Sequence, residues 1–359
     1  MKAAIFHGAH QPLTVEEVDI DTPAEHEVLV RIVASGVCHS DLHFVDGFYE
    51  MPAPAILGHE AAGIVEAVGS QVDEFKPGDH VIACLSVFCG RCDYCLTGRT
   101  NLCSTRPVRG KDAPPRLRWQ GQPVTQMANL GAYAEKILVH TNALVKVRDD
   151  MPFDRAALIG CGVTTGVGAA LNTAKVEPGS IVAVFGCGGV GLSAIQGARI
   201  AGARMIIAVD VHDHKLETAY EVGATHTINA SRKDPVKEIQ ELTNGGVEYS
   251  FEAIGLKKAA EQCFECLRPG GTATIIGMIP VGQKLELEGS VFLREKKIQG
   301  SSMGSNRFKV DMPKYIDFYM QGRLKLDEMI TRRLQLEDVN EAFRAMKAGE
   351  VARSVLMFA

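Results

Sequence analysis

The sequence lacks several features that would each mark a whole class of protein. It has no basic excess, since its formal net charge is -5, and it therefore offers no surface that would displace counterions from nucleic-acid phosphates. We find no apolar stretch near the ~20 residues needed to cross a membrane, and the segment Met1 to Gly8 predicts a strand and a turn rather than a secretion signal. Internal repeats and low-complexity tracts are also missing. These absences predict a globular, cytoplasmic protein that binds neither nucleic acid nor membrane.

The pattern of the chain changes along its 359 residues, which is long for a single core. Residues 1 to about 160 carry short strand-like runs broken by Pro and Gly, and this predicts a β-rich domain. From about 163 to 300, apolar strands alternate with amphipathic helices, as in a parallel sheet covered on both faces. Residues 104–127 form the least regular segment. That segment is rich in proline and carries the basic residues Arg109, Lys111, Arg116 and Arg118.

Cysteine is abundant, with ten residues in a chain that we expect in a reducing compartment, where clustered cysteines more often bind metal than form disulfides. Four of them follow the spacing C-x2-C-x2-C-x7-C, namely Cys89, Cys92, Cys95 and Cys103. This spacing predicts a closed structural zinc site in a lobe of about residues 86–106. A zinc-ribbon module for nucleic acid is disfavoured, because it needs two separated C-x2-C pairs and a basic surface.

Three further candidate ligands lie far apart in the sequence. Cys38, His59 and Cys161 together offer two thiolates and an imidazole, the set of a catalytic zinc that keeps one coordination position open. Spacing alone leaves the alternative that each is a buried core residue. The remaining cysteines are interpreted as small buried apolar residues, with a redox pair at Cys263 and Cys266 as the alternative.

A glycine-rich turn lies between a predicted strand and a predicted helix. It follows the pattern G-x-G-x-x-G, with Gly186, Gly188, Gly189, Val190 and Gly191 as its candidate contacts. In this setting the glycines permit a tight turn, close approach of the main chain to a pyrophosphate, and packing of helix on strand. The pattern therefore predicts a dinucleotide site.

Two charged residues after the next predicted strand bear on which dinucleotide binds. The carboxylate of Asp210 can accept hydrogen bonds from an adenosine ribose and repels a 2'-phosphate, which favours NAD over NADP. Lys215 could neutralise ribose or phosphate oxygens, and a solvated helix lysine is the alternative.

Taken together and in their order, these motifs resemble the zinc-containing medium-chain alcohol dehydrogenases along essentially the whole chain. The motifs are Cys38 to Asp41 with His43, Gly58 to Gly63, the four-cysteine lobe, Gly160 to Gly166, and Gly186 to Gly191. The resemblance implies an α/β protein with two domains and an active site in the cleft between them. A GroES-like β-rich catalytic domain would span 1–162 and 301–359, and a Rossmann domain with a doubly wound parallel sheet would span 163–300.

The resemblance also implies roles for individual residues around the catalytic zinc. Cys38, His59 and Cys161 would be its ligands, Glu60 a transient ligand, and Asp41 the carboxylate that orients His59. Ser40 and His43 match the positions of a proton relay, in which only the imidazole titrates near neutral pH.

Further implied roles concern the cofactor and the substrate. Thr165 would pack at the nicotinamide, while His39, in place of the more frequent Arg, and Arg353 would contact the pyrophosphate. The positions that flank the zinc form an apolar and partly aromatic lining, which favours an apolar or aromatic alcohol. They are Tyr49, Leu85, Ser86 and Met127, with Trp119 nearby as either a pocket residue or a surface aromatic.

The resulting prediction is a zinc-dependent alcohol dehydrogenase with two Zn²⁺ per chain. It would transfer hydride reversibly between a primary or secondary alcohol and NAD, and it would form a homo-oligomer, a dimer or a tetramer. One alternative is an aldehyde reductase that works mainly in the reducing direction, although Asp210 disfavours NADPH. The other is a non-catalytic protein on the same scaffold, which would be free to lose ligands that are all present here.

Overall fold

The computed structural model describes residues 1–109 and 113–359, so that Lys111 lies outside the described residues. The described chain divides into two compact units. The first comprises Met1–Cys161, Arg307–Asp317 and Ile330–Ala359, and the second comprises Gly162–Asn306 and Phe318–Met329.

The strands of the described residues are, in chain order, β1 (Lys2–Phe6), β2 (Thr14–Glu17), β3 (Asp19–Ile20), β4 (Glu27–Val37), β5 (Ala55–Ile56), β6 (Glu60–Val68), β7 (His80–Ala83), β8 (Leu117–Trp119), β9 (Gln122–Pro123), β10 (Thr125–Gln126), β11 (Lys136–His140), β12 (Leu144–Lys146), β13 (Ile181–Phe185), β14 (Met205–Asp210), β15 (His226–Asn229), β16 (Val247–Glu252), β17 (Leu267–Ile275), β18 (Lys297–Gly300), β19 (Ile330–Leu334) and β20 (Arg353–Met357). The α-helices are α1 (His39–Val45), α2 (Asp93–Leu96), α3 (Phe153–Leu158), α4 (Thr164–Gly168), α5 (Gly189–Ala201), α6 (Asp213–Val222), α7 (Pro235–Thr243), α8 (Lys257–Glu265), α9 (Phe308–Met320) and α10 (Val339–Lys347).

The first unit is rich in β-strands, as its short apolar runs predicted, and its strand pairs are antiparallel except for β10 with β5 and β19 with β20. Its largest sheet has the order β12-β7-β6-β4-β20-β19, with β11 also paired to β4. A second sheet has the order β10-β5-β1-β2, and a third the order β3-β8-β9. In β4 the residues with side chains on one face, such as Val28, Val30 and Ile32, are buried while Leu29, Arg31 and Val33 are only partly buried. Two apolar clusters form the core of this unit, one beside β1 and α10 and one beside β4, β6 and β11.

The second unit contains a parallel sheet of six strands in the order β15-β14-β13-β16-β17-β18. All five residues of β13 are buried, as expected for a central strand covered on both faces. The strand order reverses direction at β13, which is the point where doubly wound sheets bind ligands beyond the carboxyl ends of their strands. The glycine-rich turn leaves β13 at this place.

One prediction about the sequence was wrong. The helical segment Phe153–Thr173 has 21 residues and is long and apolar enough to cross a membrane, and 83% of its most apolar window is buried inside the folded protein. Its Gly and Thr residues interrupt the apolar run when the sequence is read residue by residue. Burial in the fold identifies it as a core helix rather than as evidence for a membrane span. Two π-helical turns, Ile159–Val163 and Ala169–Thr173, flank α4 within it.

The compact units differ from the predicted domain ranges beyond residue 300. Phe318–Met329 falls in the second unit, where Lys325 N donates to Gln196 Oε1 at 2.6 Å and Gln196 Nε2 donates to Lys325 O at 2.9 Å. Residues 301–306 also fall there, and Ser301 N donates to Ile275 O at 2.9 Å. These contacts join distant parts of the chain, which composition does not reveal.

Candidate active site

Four predicted metal-site residues of the first unit converge on one buried point. The ligand atoms of Cys38, His59, Glu60 and Cys161 all lie within 4.8 Å of one another, and all four side chains are buried. Cys38 caps the start of α1 directly after β4, and His59 directly precedes β6. Because β4 and β6 are antiparallel neighbours, these two residues meet at the same edge of the sheet. Cys161 lies in the first π-helical turn, a feature often found at functional sites.

Gly58 allows the chain to pass close to Tyr133 just before the candidate ligand His59. Its φ of +89° lies in the left-handed region, and a Cβ there would stand 2.7 Å from Tyr133 N. Only glycine fits both conditions. The chain just before His59 can therefore lie against the main chain at Tyr133.

Asp41 holds the imidazole of His59 in place. Its Oδ1 lies 3.1 Å from His59 Nδ1 and accepts a hydrogen bond from Gly58 N at 2.9 Å. Its Oδ2 accepts bonds from Tyr133 Oη at 2.7 Å and from Cys38 N at 3.3 Å. If Nδ1 donates to this carboxylate, Nε2 is left with its lone pair toward the cluster, which is the tautomer that a metal requires.

The cluster fits a zinc ion in two respects, its set of donor atoms and its buried polar atoms that lack a hydrogen-bond partner. His59 Nε2 and Glu60 Oε1 are buried without a hydrogen-bond partner, and buried polar atoms of this kind are rare in folded proteins. A cation coordinated by Cys38, His59 and Cys161 would satisfy the nitrogen.

The charges of the cluster also favour a cation. The hydrogen bond with Cys161 holds the pKa of Cys38 well below its usual range, while the same bond and burial raise the pKa of Cys161. Burial opposes the charged form of His59, but Asp41 and Cys38 outweigh it and raise the pKa of the imidazole, so a metal ion would have to displace a proton from Nε2 to bind there. The thiol pair therefore carries one negative charge readily and would release its second proton when a metal binds.

Glu60, a member of the cluster, forms a buried ion pair with Arg353. The guanidinium of Arg353 donates through Nη2 to Glu60 Oε2, and both side chains are buried. Burial raises the pKa of Glu60 to about 7. Gly36 leaves room for the pair, since a Cβ there would stand 2.0 Å from Glu60 Oε2. Arg353 therefore has an acidic partner within the first unit, and its contact with a pyrophosphate stays a prediction.

The predicted relay residues lie on α1 beside the cluster. Ser40 Oγ is 3.7 Å from Cys38 Sγ. Burial lowers the pKa of His43 below its ordinary value of 6.5. The His43 ring stands at 6.0 Å from the ring of Tyr49, so that the structure brings one predicted pocket residue to the relay. His39, on the first turn of α1, is exposed.

The other predicted pocket residues lie in different surroundings. Leu85 packs on the core cluster beside β4, Ser86 is buried, and Met127 belongs to the cluster beside β1. Trp119 lies on β8, where its Nε1 donates to Glu16 Oε2 at 2.7 Å and its ring meets the ring of His7 at 5.2 Å. These contacts place Trp119 against the first strands of the chain, and no contact recorded for the described residues joins it to the metal cluster.

The four cysteines of the lobe form the second metal cluster. Their sulfur atoms lie within 4.8 Å of one another, and three of the sulfur–sulfur distances are 3.5 Å, 3.9 Å and 3.9 Å. Sulfur atoms at the corners of a tetrahedron around zinc, with bonds near 2.3 Å, lie roughly 3.8 Å apart. Cys103 Sγ accepts from Cys89 N at 3.3 Å, and Cys89 Sγ accepts from Cys92 N at 3.3 Å and from Thr105 Oγ1 at 3.1 Å. Hydrogen bonds lower the pKa of Cys89 to about 7 and that of Cys92 to about 5, so both favour the thiolate.

The glycine-rich turn of the second unit has the shape that a dinucleotide needs. Gly186 has a φ of +95°, and a Cβ on Gly191 would stand 1.7 Å from Gly186 O. Both glycines are therefore required by the turn itself. A Cβ on Gly188, by contrast, would meet nothing within 4 Å, so this residue leaves open space in front of the start of α5. A cradle of this kind fits a pyrophosphate.

Asp210 ends β14 next to this turn. Its Oδ2 accepts from Cys187 N at 2.8 Å, and its Oδ1 accepts from Val211 N at 2.8 Å and His212 N at 3.1 Å. The carboxylate is thus fixed to the glycine-rich turn, and it retains lone pairs for a ribose. Lys215 is partly buried on α6, and Thr165 Oγ1 donates to Met303 Sδ at 3.2 Å.

Sequence reasoning missed Tyr133. Its hydroxyl reaches Asp41, a residue 92 positions earlier in the chain, and burial raises its pKa. The sequence around Tyr133 carries no motif, and Tyr133 meets Asp41 of α1 only through the tertiary fold.

Comparison with known proteins finds relatives along the whole chain. Residues 24–149 match the model of the alcohol dehydrogenase GroES-like domain, and residues 189–321 match that of the zinc-binding dehydrogenase. The S-(hydroxymethyl)glutathione dehydrogenase of Paracoccus denitrificans is 40% identical over 372 residues, with 99% of both proteins covered. The structure of benzyl alcohol dehydrogenase from Acinetobacter calcoaceticus is 33% identical, with a TM-score of 0.94, 100% of this chain covered and 99% of that chain. A structure from Sinorhizobium meliloti 1021, described as a zinc-binding dehydrogenase and bound to NADP, is 28% identical, with a TM-score of 0.85 and 99% of each chain covered.

These similarities define the class as oxidoreductases of the alcohol dehydrogenase type. The chain belongs to the zinc-containing medium-chain dehydrogenase family. The predicted fold class, a GroES-like domain with a Rossmann domain, is confirmed.

Proposed function

We propose that this protein is an NAD-dependent alcohol dehydrogenase that oxidises apolar or aromatic primary and secondary alcohols. One observation carries the proposal: a buried set of two thiols and an imidazole, whose Nε2 has no partner and whose Nδ1 faces Asp41. This is the donor set of a zinc that keeps a coordination position for substrate.

In this proposal each residue of the cluster has a separate task. Cys38, His59 and Cys161 would hold zinc, which when bound supplies the Lewis acidity that makes an alcohol hydroxyl a better acid. Asp41 keeps the tautomer of His59. Ser40 and His43 would carry the released proton away, since neutral imidazole is the one group of this relay that accepts a proton near neutral pH.

The cofactor assignment depends on Asp210. A dinucleotide on the glycine-rich turn would supply the acceptor for hydride, and Asp210 would receive the ribose hydroxyls. The carboxylate disfavours a 2'-phosphate by charge, so we assign NAD. The NADP-bound relative at 28% identity makes the cofactor preference the first quantity to measure.

Two substrates are candidates. The benzyl alcohol dehydrogenase at 33% identity and the ring of Tyr49 beside His43 support an aromatic alcohol. The relative at 40% identity supports S-(hydroxymethyl)glutathione as the second candidate. A cytoplasmic homo-oligomer, dimer or tetramer, is part of the same proposal.

A steady-state assay tests both candidates. Purified protein of known zinc content is incubated with NAD or NADP and either a panel of alcohols or formaldehyde plus glutathione, and formation of reduced nicotinamide is followed by its absorbance. Higher kcat/KM for benzyl-type alcohols with NAD supports the main proposal. Activity only with formaldehyde plus glutathione selects the second candidate, and zinc-loaded protein that turns over neither the alcohols nor formaldehyde plus glutathione rejects both.

A further inference from the structure

A buried carboxylate in the second unit has no part in the function described so far. Glu252 is the last residue of β16 and is fully buried. Its Oε1 accepts hydrogen bonds from Ile254 N at 2.9 Å, Gly255 N at 2.6 Å and Leu256 N at 3.3 Å. Its Oε2 accepts one from Gly277 N at 3.2 Å.

The carboxylate is unusual because it is buried without a cation. Burial raises the pKa of Glu252, and none of the ion pairs recorded for residues 1–109 and 113–359 involves it. Burying a charge is costly unless hydrogen bonds compensate for lost water. Here the main-chain N–H groups supply that compensation, and they come from two different loops.

These two loops follow adjacent strands of the parallel sheet. Residues 253–256 follow β16, and residues 276–279 follow β17, so both stand at the carboxyl edge of the sheet. Glu252 joins them through its two carboxylate oxygens. Gly277 permits the junction, since a Cβ there would stand 2.1 Å from Gly255 N and 2.5 Å from Glu252 Oε2.

The first of these loops lies against the glycine-rich turn. Ala253 N donates to Phe185 O at 2.9 Å, immediately before the turn. A Cβ on Gly186 would meet Ile254 Cγ1 at 2.5 Å, and a Cβ on Gly191 would meet Ala253 Cβ at 3.6 Å. The loop that Glu252 holds is therefore the wall next to the phosphate cradle.

We propose that Glu252 is a positioning residue for the dinucleotide, which it serves by keeping residues 253–256 in the conformation that lies against the glycine-rich turn. This inference rests on the proposed function, because it assumes that a dinucleotide occupies the turn. If the ordered loop fell to about a tenth of the population, apparent affinity for the dinucleotide would fall about 10-fold.

Glu252→Gln tests this role with little change in size. Either orientation of the amide leaves its NH2 group facing main-chain N–H donors, and its carbonyl oxygen is a weaker acceptor than a carboxylate. We expect the Kd for NADH, measured by calorimetry on zinc-loaded protein, to rise about 10-fold. The single-turnover rate at saturating dinucleotide should change much less. Amide hydrogen exchange of the peptide covering 253–256 should become faster in the protein without dinucleotide, and Glu252→Asp should restore part of the affinity.

Ser250→Ala is the matched control. Ser250 lies on the same strand, is fully buried, and donates through Oγ to Cys263 O at 2.6 Å, away from both loops. It should lower the midpoint of thermal unfolding and leave the Kd for NADH unchanged.

Gly277→Ala provides a second route if Glu252→Gln does not fold. Its Cβ would stand 2.1 Å from Gly255 N and 2.5 Å from Glu252 Oε2, so it should separate the carboxylate from the first loop while Glu252 itself is retained, and it should weaken dinucleotide binding in the same way. Unchanged Kd in a folded Glu252→Gln or Gly277→Ala protein would overturn the inference, as would an equal loss of affinity in Ser250→Ala. Parent protein that binds no dinucleotide would reject the proposed function itself, and the role of Glu252 with it, before any variant is compared.

Discussion

At the scale of single residues, Asp41 controls the shape of the metal cluster. It contacts His59, Gly58, Cys38 and Tyr133 at once. We expect Asp41→Asn to weaken zinc binding about 10-fold, at the lower end of the range for groups that orient a metal ligand. Zinc content during dialysis against graded chelator measures this, with the four-cysteine site of the same protein as internal reference. Tyr133→Phe removes only one of the bonds and should have a smaller effect, and an Asp41→Asn protein that retains zinc like the parent would contradict the role.

A change at His43 tests the proton relay without altering the candidate metal ligands. Because burial lowers the pKa of His43 below 6.5, the imidazole stays neutral and able to accept a proton down to that pH, and parent activity should decline only below it. His43→Gln should slow alcohol oxidation about 10-fold near neutral pH and recover as pH rises, since hydroxide can take the proton instead. Single-turnover rates across a pH series measure this without interference from slow product release.

A contrasting variant makes the His43 prediction decisive. Cys161→Ser removes a candidate ligand and should reduce the rate far more and at every pH. If the pH profile of His43→Gln coincided with that of the parent, the relay would be rejected.

Asp210 gives the residue-scale prediction for cofactor choice. Asp210→Ser removes the acceptor for ribose and the charge that repels a 2'-phosphate, so the preference for NAD over NADP should fall by at least about 10-fold. The ratio of kcat/KM for the two dinucleotides measures it. A parent protein that uses both equally well would show that Asp210 does not select the cofactor.

At the scale of elements, two glycines of the glycine-rich turn have different roles, one in the stability of the fold and one in dinucleotide binding. Gly191→Ala would place Cβ at 1.7 Å from Gly186 O, so it should destabilise the fold and abolish dinucleotide binding together. Gly188→Ala meets nothing within 4 Å, so the midpoint of thermal unfolding should stay within about 2 °C of the parent. It should nevertheless weaken binding about 10-fold or more, because its methyl group occupies the space meant for the pyrophosphate. Equal NADH affinity in Gly188→Ala and parent would reject the cradle.

The elements of the second unit were predictable because local pattern and tertiary role agree there. Each feature there can be read from a few consecutive residues. They are the apolar run of β13, the glycines that follow it, and Asp210 at the end of the next strand. Cys161 shows the opposite case. Cys161 lies in a π-helical turn within a long helical segment, and no residue pattern in the sequence predicts that turn.

At the scale of the whole molecule, the sequence predicted the fold class and the two metal sets but not the contacts that complete them. Ligands that are close in the sequence, such as the four lobe cysteines, must also lie close together in space, so their cluster can be predicted from the sequence. The meeting of Glu60 with Arg353 depends on β20 pairing with β4 near the end of the chain, and that pairing follows from the fold as a whole. Arg353 therefore received a cofactor role from the resemblance alone, while the structure gives it a partner in Glu60.

The whole molecule should hold two zinc ions of different lability. Exposure alone would favour loss from the lobe, where three of the four cysteines are partly exposed, over loss from the buried cluster of Cys38, His59 and Cys161. Coordination favours the opposite order, because four thiolates leave a chelator no open position, whereas the buried cluster would offer one. Hydrogen bonds from Cys89 N, Cys92 N and Thr105 Oγ1 further stabilise the lobe sulfurs.

We therefore expect coordination to decide the order of loss, so that mild chelation removes dehydrogenase activity before it unfolds the protein. The test follows zinc per chain, activity and circular dichroism through one chelator titration. Cys103→Ser serves as its control, because it should lose the lobe zinc and lower the midpoint of thermal unfolding while the other zinc is retained. Fully active protein with a single zinc, or loss of structure ahead of activity, would show that the two clusters have been assigned the wrong roles.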